Sequence, residues 1–386
     1  MRTRPHMKTA RSQGFTLVEL LVAVAISLVL TLAITLMLVR YEGTRRNLTS
    51  NNDSSIGGAY VAYLLDRSVR SAGSGFTQSW RNAFGCQLLV ARSSTTVLPR
   101  STAFPAPFDS VSQTVRLAPV VVHAGAGTDG SDVLAVNTGS SGMGEAPLRV
   151  LTGSAAAAQL RVPATVGLRG GDLALVFQGN SDCLMEQVSS GFTGGADQLL
   201  TFGGTYATST QGTTTLASMG VSTPAYVAPV GNVTTNLPQF QLIGIGPNAT
   251  LVSHDMLQLD GTDSVVALAD GVADLRVRYG VDTNDDGRID SWQSPASSPW
   301  NASSLLDGSA TARTNLSRII ALRVGVLVRN SSPERSAVSP STVTLFSDLG
   351  STLQVSRTLT STEQLLRWRA VEVTVPLRNV MLMPRP

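Results

Sequence analysis

Residues 15–39 read FTLVELLVAVAISLVLTLAITLMLV, twenty-five residues that carry a single charge, Glu19. At about 1.5 Å of rise per residue, a helix of this length just spans a bilayer core of roughly 30 Å. The residues before it include Arg2, Arg4, Lys8 and Arg11. Such a basic flank holds the N-terminus on the cytoplasmic side and directs the rest of the chain to the periplasm or beyond. A carboxylate in an apolar span costs about 2.5 kcal/mol or more at the bilayer centre and less near the interface, so a charge kept there marks a functional position.

The order of these parts excludes an ordinary secretory signal, whose small-residue cleavage site follows the apolar region. Here the small residue, Gly14, precedes it. Cleavage after Gly14 leaves the apolar run as the mature N-terminus, with Glu19 as its fifth residue. Gly14, Phe15, Thr16, Leu17, Glu19 and Leu20 match the G-F-T-L-x-E-L pattern, which resembles the type III, prepilin-type signal of type IV pilins and pseudopilins. The resemblance implies a prepilin peptidase that cuts between Gly14 and Phe15 and methylates the new amine of Phe15. Glu19 is then expected to pair with the protonated amine of Phe15 on a neighbouring subunit, because a lone carboxylate in an apolar helix bundle needs a partner. That pairing would set the axial register between subunits.

The whole chain has a formal charge of +3, and loss of the four leader positives leaves −1. A near-neutral mature chain has no electrostatic footprint for nucleic acid. Charged residues make up 14% of the sequence and hydrophobic ones 42%, a balance that fits an exported β-rich head with long loops better than a disordered chain. The length beyond the helix suffices for one large domain or two smaller ones. Cys86 and Cys183 are the two cysteines, and in an oxidising compartment they are expected to form one disulfide.

Residues 40–72 read as a helical stem, with an apolar stripe of Tyr41, Leu48, Ile56, Tyr60, Tyr63, Leu64 and Val69. Asn51–Ser55 and Gly57-Gly58 allow a break or a fresh N-cap near Ser54 or Ser55, and Ala72-Gly73-Ser74-Gly75 ends the helix. From about residue 84 the pattern changes to short β-like runs: Gln87–Val90, Val115–Val122, Asp132–Asn137, Asp172–Gln178, Gln239–Ile245, Val265–Leu268, Leu275–Tyr279, Arg318–Val328, Thr342–Phe346 and Arg369–Val375. The Ser/Thr/Gly-rich interval 190–235 is expected to be loops or an insertion. The fold class is α+β: a leader over 1–14, a transmembrane and assembly helix over 15–39, a stem over 40–72, and a β-rich head drawn as halves 73–235 and 236–386.

Several head segments are similar to those of the PilW family of type IV minor pilins. They are Leu64–Gly73 followed by Phe84-Gly85-Cys86, then Gly130–Leu134, Gly171–Val176, Gly271–Gly280 with an Asp-rich loop behind it, and Thr374–Asn379. The resemblance implies a structural subunit, not an enzyme, held in the inner membrane and then packed near the tip of a pilus to help initiate assembly. Implied partners are other minor pilins, the major pilin and a tip adhesin. Within the same class stands a type II secretion pseudopilin. A different class is a head that itself serves as an adhesive or DNA-binding module, which calls for an exposed basic or aromatic patch that the sequence does not display.

Asp282-Thr283-Asn284-Asp285-Asp286-Gly287-Arg288-Ile289-Asp290 follows D-x-[DN]-x-[DN]-G, the spacing that sets oxygens around calcium with a glycine at the sharp turn. Asp282, Asn284 and Asp286 would be direct ligands, Arg288 would offer its carbonyl, and Asp290 would act through water. Gln293 stands where the bidentate glutamate is usual, and the preceding residues read as a strand. Gly125–Gly130 is formally G-x-G-x-x-G, but a strand-like run follows it, so it reads as a turn and not a pyrophosphate site. His123 and His254 stand alone in the sequence and read as surface or packed side chains. No G-x-S-x-G elbow, H-E-x-x-H or paired-cysteine metal motif is present.

Overall fold

A single helix, Leu17–Arg70, runs for 54 residues from the start of the apolar segment to the head. The computed structural model describes residue 14 and residues 16–140, 146–195, 198–207, 210–211, 214–262 and 264–384. The basic leader (Arg2, Arg4, Lys8, Arg11) and Phe15 lie outside the described residues. The chain divides into two units, Met1–Asp53 and Ser54–Pro386.

In the first unit, Leu17–Glu42 is long and apolar enough to cross a membrane, with a mean hydropathy of 2.8. Its side chains are exposed throughout. Ser27, Thr31 and Thr35 return their hydroxyl hydrogens to carbonyls three or four residues back, at 2.9, 2.6 and 2.7 Å. The hydroxyls of Ser27, Thr31 and Thr35 are thereby satisfied within the helix, as crossing a bilayer would require.

The second unit begins with the end of the same helix. The expected break near Ser54 or Ser55 does not occur, and Gly57-Gly58 are helical. The face buried against the head also differs from the expected stripe. Gly58, Val61, Leu65 and Val69 point inward, whereas Ile56, Tyr60 and Tyr63 are exposed. Spacings of three and four fit both sets. Gly58 tips the balance, because only a residue without a Cβ allows the helix so close to the sheet. Beyond Arg70 the chain turns through Gly73 (φ +82°), whose N–H donates to the carbonyl of Asn137 at 2.8 Å.

Three larger sheets, with three two-stranded ones beside them among the described residues, make up most of the rest. The six-stranded sheet has the order Thr95–Leu98, Leu88–Arg92, Cys183–Gln187, Asp172–Gln178, Ala225–Asn232, Leu148–Arg149. The five-stranded sheet runs Val265–Asp270, Thr250–Asp255, Gln239–Gly246, Val133–Thr138, Val120–His123. The four-stranded sheet runs Ser291–Gln293, Val272–Val281, Ile319–Arg329, Trp368–Pro376. Among the pairs within these sheets, Leu88–Arg92 beside Cys183–Gln187 is parallel and the others are antiparallel.

Val61, Leu65 and Val69 of the helix share one core with Val277 and Tyr279, with Leu322 and Val324, and with Phe108 and Phe240. A second core lies on the far side of the six-stranded sheet, among Val162, Leu168, Val176, Leu200 and Val227. The α+β reading, an N-terminal apolar helix followed by a large β-rich head, is the architecture found. The interval 190–235 departs from expectation, for it holds the eight-residue strand Ala225–Asn232. Pro229 and Gly231 mask that strand in the sequence, and they are where its ladder with Asp172–Gln178 bulges.

Candidate functional site

The helix start is built by two residues, Thr16 and Glu19. Thr16 Oγ1 accepts from the Glu19 N–H at 3.2 Å, while Glu19 Oε2 accepts from the Thr16 N–H at 3.1 Å and from its hydroxyl at 3.0 Å. This is a reciprocal capping box, in which two backbone donors that the first helical turn leaves unpaired are satisfied by side chains. Thr16-Leu17-Val18-Glu19 is legible in the sequence as T-x-x-E, a signal that reading Glu19 only as an inter-subunit partner passes over. Glu19 thus has a role within its own protomer before any neighbour arrives. Gly14 is exposed, and a Cβ built on it would meet nothing within 4 Å among the described residues.

Cys86 and Cys183 form the expected disulfide, with Cα atoms 5.7 Å apart, inside the usual range. Cys183 opens its strand and Cys86 lies two residues before the neighbouring one. The Cys183 N–H donates to the Gln87 carbonyl at 2.8 Å. The bridge therefore joins the two strands at the parallel pair Leu88–Cys183. Both sulfur-bearing residues are buried.

The acidic loop is the turn of the hairpin between Val272–Val281 and Ser291–Gln293. Asp282 is buried; its two carboxylate oxygens accept from the N–H groups of Asp286 (3.2 Å) and Gly287 (2.8 Å). Asn284 Oδ1 accepts from the same Asp286 N–H at 3.1 Å, and Asp286 Oδ1 from the Arg288 N–H at 2.8 Å. The oxygens of Asp282 and Asn284 thus converge on one backbone hydrogen. Asp285 (φ +63°) and Gly287 (φ +83°) take the left-handed backbone that the tight turn needs. Asp290 points back to Thr283, accepting from its N–H at 2.7 Å and its hydroxyl at 2.6 Å, and these bonds hold its carboxyl below the usual carboxylate range. The donor set is hard oxygen, the chemistry calcium takes. Each of these side chains is also bonded within the loop. Among the described residues no group of three His, Cys, Asp or Glu side chains is arranged to hold a metal ion.

Gly125–Gly130 forms a turn closed by Asp132, whose Oδ1 accepts from the Gly125 N–H at 3.0 Å and whose Oδ2 accepts from the Val277 N–H at 2.9 Å. Burial raises the Asp132 carboxyl, and these two N–H groups and Arg276 oppose that rise. The Asp132 carboxylate thus ties the turn to the central strand of another sheet. His254 packs between Phe104 and Phe108, at centroid distances of 5.8 and 6.3 Å, and its Nδ1 lies 3.1 Å from the Ser264 carbonyl. His123 ends a strand, and desolvation lowers its imidazole to about 4. The two histidines belong to the packing of the head.

Two sequence comparisons bear on these features. Residues 241–379 match the family model for type IV pilus-assembly protein W, PilW. Residues 9–35 match the prokaryotic N-terminal methylation motif. The first match takes in the whole four-stranded sheet and its acidic hairpin; the second spans the Gly14–Phe15 junction, the capping box and much of the apolar helix. No curated relative and no solved structure matches the chain.

Proposed function

We propose that this chain, a PilW-family type IV pilin, serves as a minor pilin in pilus assembly. Prepilin peptidase cuts between Gly14 and Phe15 and methylates the amine of Phe15. The apolar helix then anchors the protein in the inner membrane with the head on the outer side, and from there the subunit helps initiate a pilus and packs near its tip. Its partners there are other minor pilins, the major pilin and a tip adhesin. Its role is structural, without catalysis. The observation that carries the reading is the joining, in one chain, of a methylation-type N-terminus to a β-rich head whose C-terminal sheet falls within the PilW match. Calcium held by Asp282, Asn284 and Asp286, with the Arg288 carbonyl and Asp290, is part of the same proposal and rests on the motif and the convergence of its oxygens.

The test is mass spectrometry of the mature N-terminus, on protein from sheared surface filaments and from inner membranes in parallel. A chain that starts at methylated Phe15 and is present in filaments supports the minor-pilin role. The same N-terminus confined to the envelope favours a secretion pseudopilin, and an uncut Met1 start overturns the reading.

A further inference from the structure

A cleft of about 420 Å³ opens in the second unit where four segments of the chain meet. Asn82 comes from the short helix Trp80–Ala83, and Arg116 from the stretch that bridges to Gln87. Ser181 and Asp182 come from the turn between Asp172–Gln178 and Cys183–Gln187. Asp307 and Arg313 close the cleft around the start of the helix Ala310–Arg318. Its volume falls within the roughly 300–1,000 Å³ usual for small-ligand sites. The walls are held close by the backbone. Gly85 and Gly308 both take the left-handed conformation, with φ of +76° and +80°. A Cβ on Gly85 would come 3.4 Å from Gly308 Cα, and one on Gly308 would come 2.9 Å from Arg116 Nη1. Cys86 follows Gly85 and Cys183 follows Asp182, so the disulfide ties two of the walls together.

Two arginines and two aspartates line the cleft, and each is held by a neutral partner of its own. Arg116 Nη1 donates to the Gly85 carbonyl at 2.7 Å. Arg313 donates through Nη1 to the Gly308 carbonyl and through Nη2 to Asn180 Oδ1, both at 3.0 Å. Asp307 Oδ1 accepts from the Ser309 N–H at 2.7 Å, and Asp182 Oδ2 accepts from the Thr214 hydroxyl at 3.0 Å. Ser309 holds the Asp307 carboxyl below the usual carboxylate range, and the nearby charges of Arg116 and Arg313 add to that effect. Among the described residues, however, no ion pair joins these arginines to these aspartates. Asn82 and Ser181 are half-buried, and their side chains have no hydrogen-bond partner among the described residues. The cleft thus holds fixed donors and acceptors with bonding capacity to spare.

The formal charges of the lining cancel. A simple anion or cation would be drawn to one pair of charges and repelled by the other. A sugar hydroxyl donates to a carboxylate and accepts from a guanidinium or an amide at the same time, so a neutral polyol matches this mixed set. We propose that the cleft binds a neutral hexose, whose hydroxyls donate to Asp182 and Asp307 and accept from Arg116, Arg313 and Asn82. Such binding adds a function to the head and does not depend on the minor-pilin reading.

The test is saturation-transfer NMR and calorimetry on the full-length chain, in a detergent without a sugar headgroup. The probes are the methyl glycosides of glucose, galactose and mannose, with glucuronate and glucosamine as acidic and basic counterparts. At least one neutral glycoside is expected to bind, and more tightly than either charged sugar. Ser181→Trp fills the cleft, and Asp182→Asn removes a carboxylate while an amide oxygen still accepts from Thr214. Each should weaken binding by about tenfold or more, with an unchanged melting temperature. If Ser181→Trp does not fold, Asp182→Asn decides. The proposal is overturned if none of the three glycosides binds, if glucuronate or glucosamine binds more tightly, or if Asp182→Asn binds like the wild type. Filament incorporation is read separately from the mature N-terminal mass, so neither reading falls with the other.

Discussion

Gly58 of the helix lies directly over Val371 of the sheet. A Cβ placed on Gly58 would come 2.8 Å from Val371 Cγ2 and 3.6 Å from Val328 Cγ2. Glycine inside a helix costs about 1 kcal/mol relative to alanine, and here the close approach of helix to sheet offsets that cost. Gly58→Ala is expected to lower head stability by about 1 kcal/mol, the net of a propensity gain and a larger overpacking cost. In a Val371→Ala background the same change should be neutral or stabilising. Thermal unfolding of the four proteins of this cycle, in detergent, checks the prediction; equal effects in both backgrounds would show that the two residues do not couple.

The Cys86–Cys183 bridge closes a loop of sequence separation 97 and is buried. Cys86→Ala with Cys183→Ala is expected to cost about 2–4 kcal/mol, towards the upper part of the range for a loop of this length. Burial should also protect the folded chain from reductant. Thiol labelling after reductant treatment is expected only once the head unfolds, and prompt labelling of the folded chain would contradict this.

Asp282 accepts two backbone hydrogens with both oxygens while fully buried. Asp282→Ala leaves the Gly287 N–H without its acceptor, while Asn284 Oδ1 still meets the Asp286 N–H, and should cost about 1–2 kcal/mol in the absence of calcium. Asp286 is exposed, so Asp286→Ala removes a ligand oxygen with little effect on the fold. Calcium is expected to raise the melting temperature of the wild type and not of Asp286→Ala. A shift that persists in the variant removes calcium from this loop.

Desolvation lowers His123 to about 4, below the ordinary histidine value. The unfolded chain takes up the proton near pH 6.5, while the folded one stays neutral until about pH 4. Stability contributed by the neutral ring is therefore complete above the unfolded value and is lost as pH falls through that window. The loss is about 1–3 kcal/mol for one half-buried ring. Burial raises Asp132 and Asp255 and so works in the opposite direction as pH falls. His123→Gln should flatten the decline between pH 6.5 and 4 in a pH series of unfolding curves; an unchanged slope would assign the decline to other groups.

Much of the head was legible because its strands are apolar runs bounded by turn residues, as at Asp172–Gln178, which the structure reproduces residue for residue. Ala225–Asn232 was hidden because Pro229 and Gly231 read as breakers, and only pairing with Asp172–Gln178 shows that a bulge accommodates them. The inward face of the helix could not be chosen from spacing alone. Tyr60 and Tyr63 are the larger apolar side chains, but contact with Val371 requires the smallest residue. At the N-terminus the motif reading was direct, yet it assigned Glu19 outward to a neighbour. The hydrogen bonds show that Thr16 already engages it.

That engagement yields the last prediction. Thr16 and Glu19 cap each other at the start of the apolar helix, so an incoming Phe15 amine must share or displace the Thr16 bonds to reach the carboxylate. Glu19→Ala removes both the cap and the inter-subunit partner. It should leave cleavage after Gly14 intact while filament incorporation falls steeply. Thr16→Val removes the hydroxyl's two bonds and leaves the backbone N–H bond to Glu19, at a cost of about 0.5–2 kcal/mol at the helix start. Because it keeps the carboxylate for a neighbour, it should assemble far better than Glu19→Ala. Immunoblots of sheared filaments, together with the mature N-terminal mass, separate the cases. Equal assembly defects in the two variants would mean that Glu19 acts through the cap, and normal assembly of Glu19→Ala would remove the register role from this residue altogether.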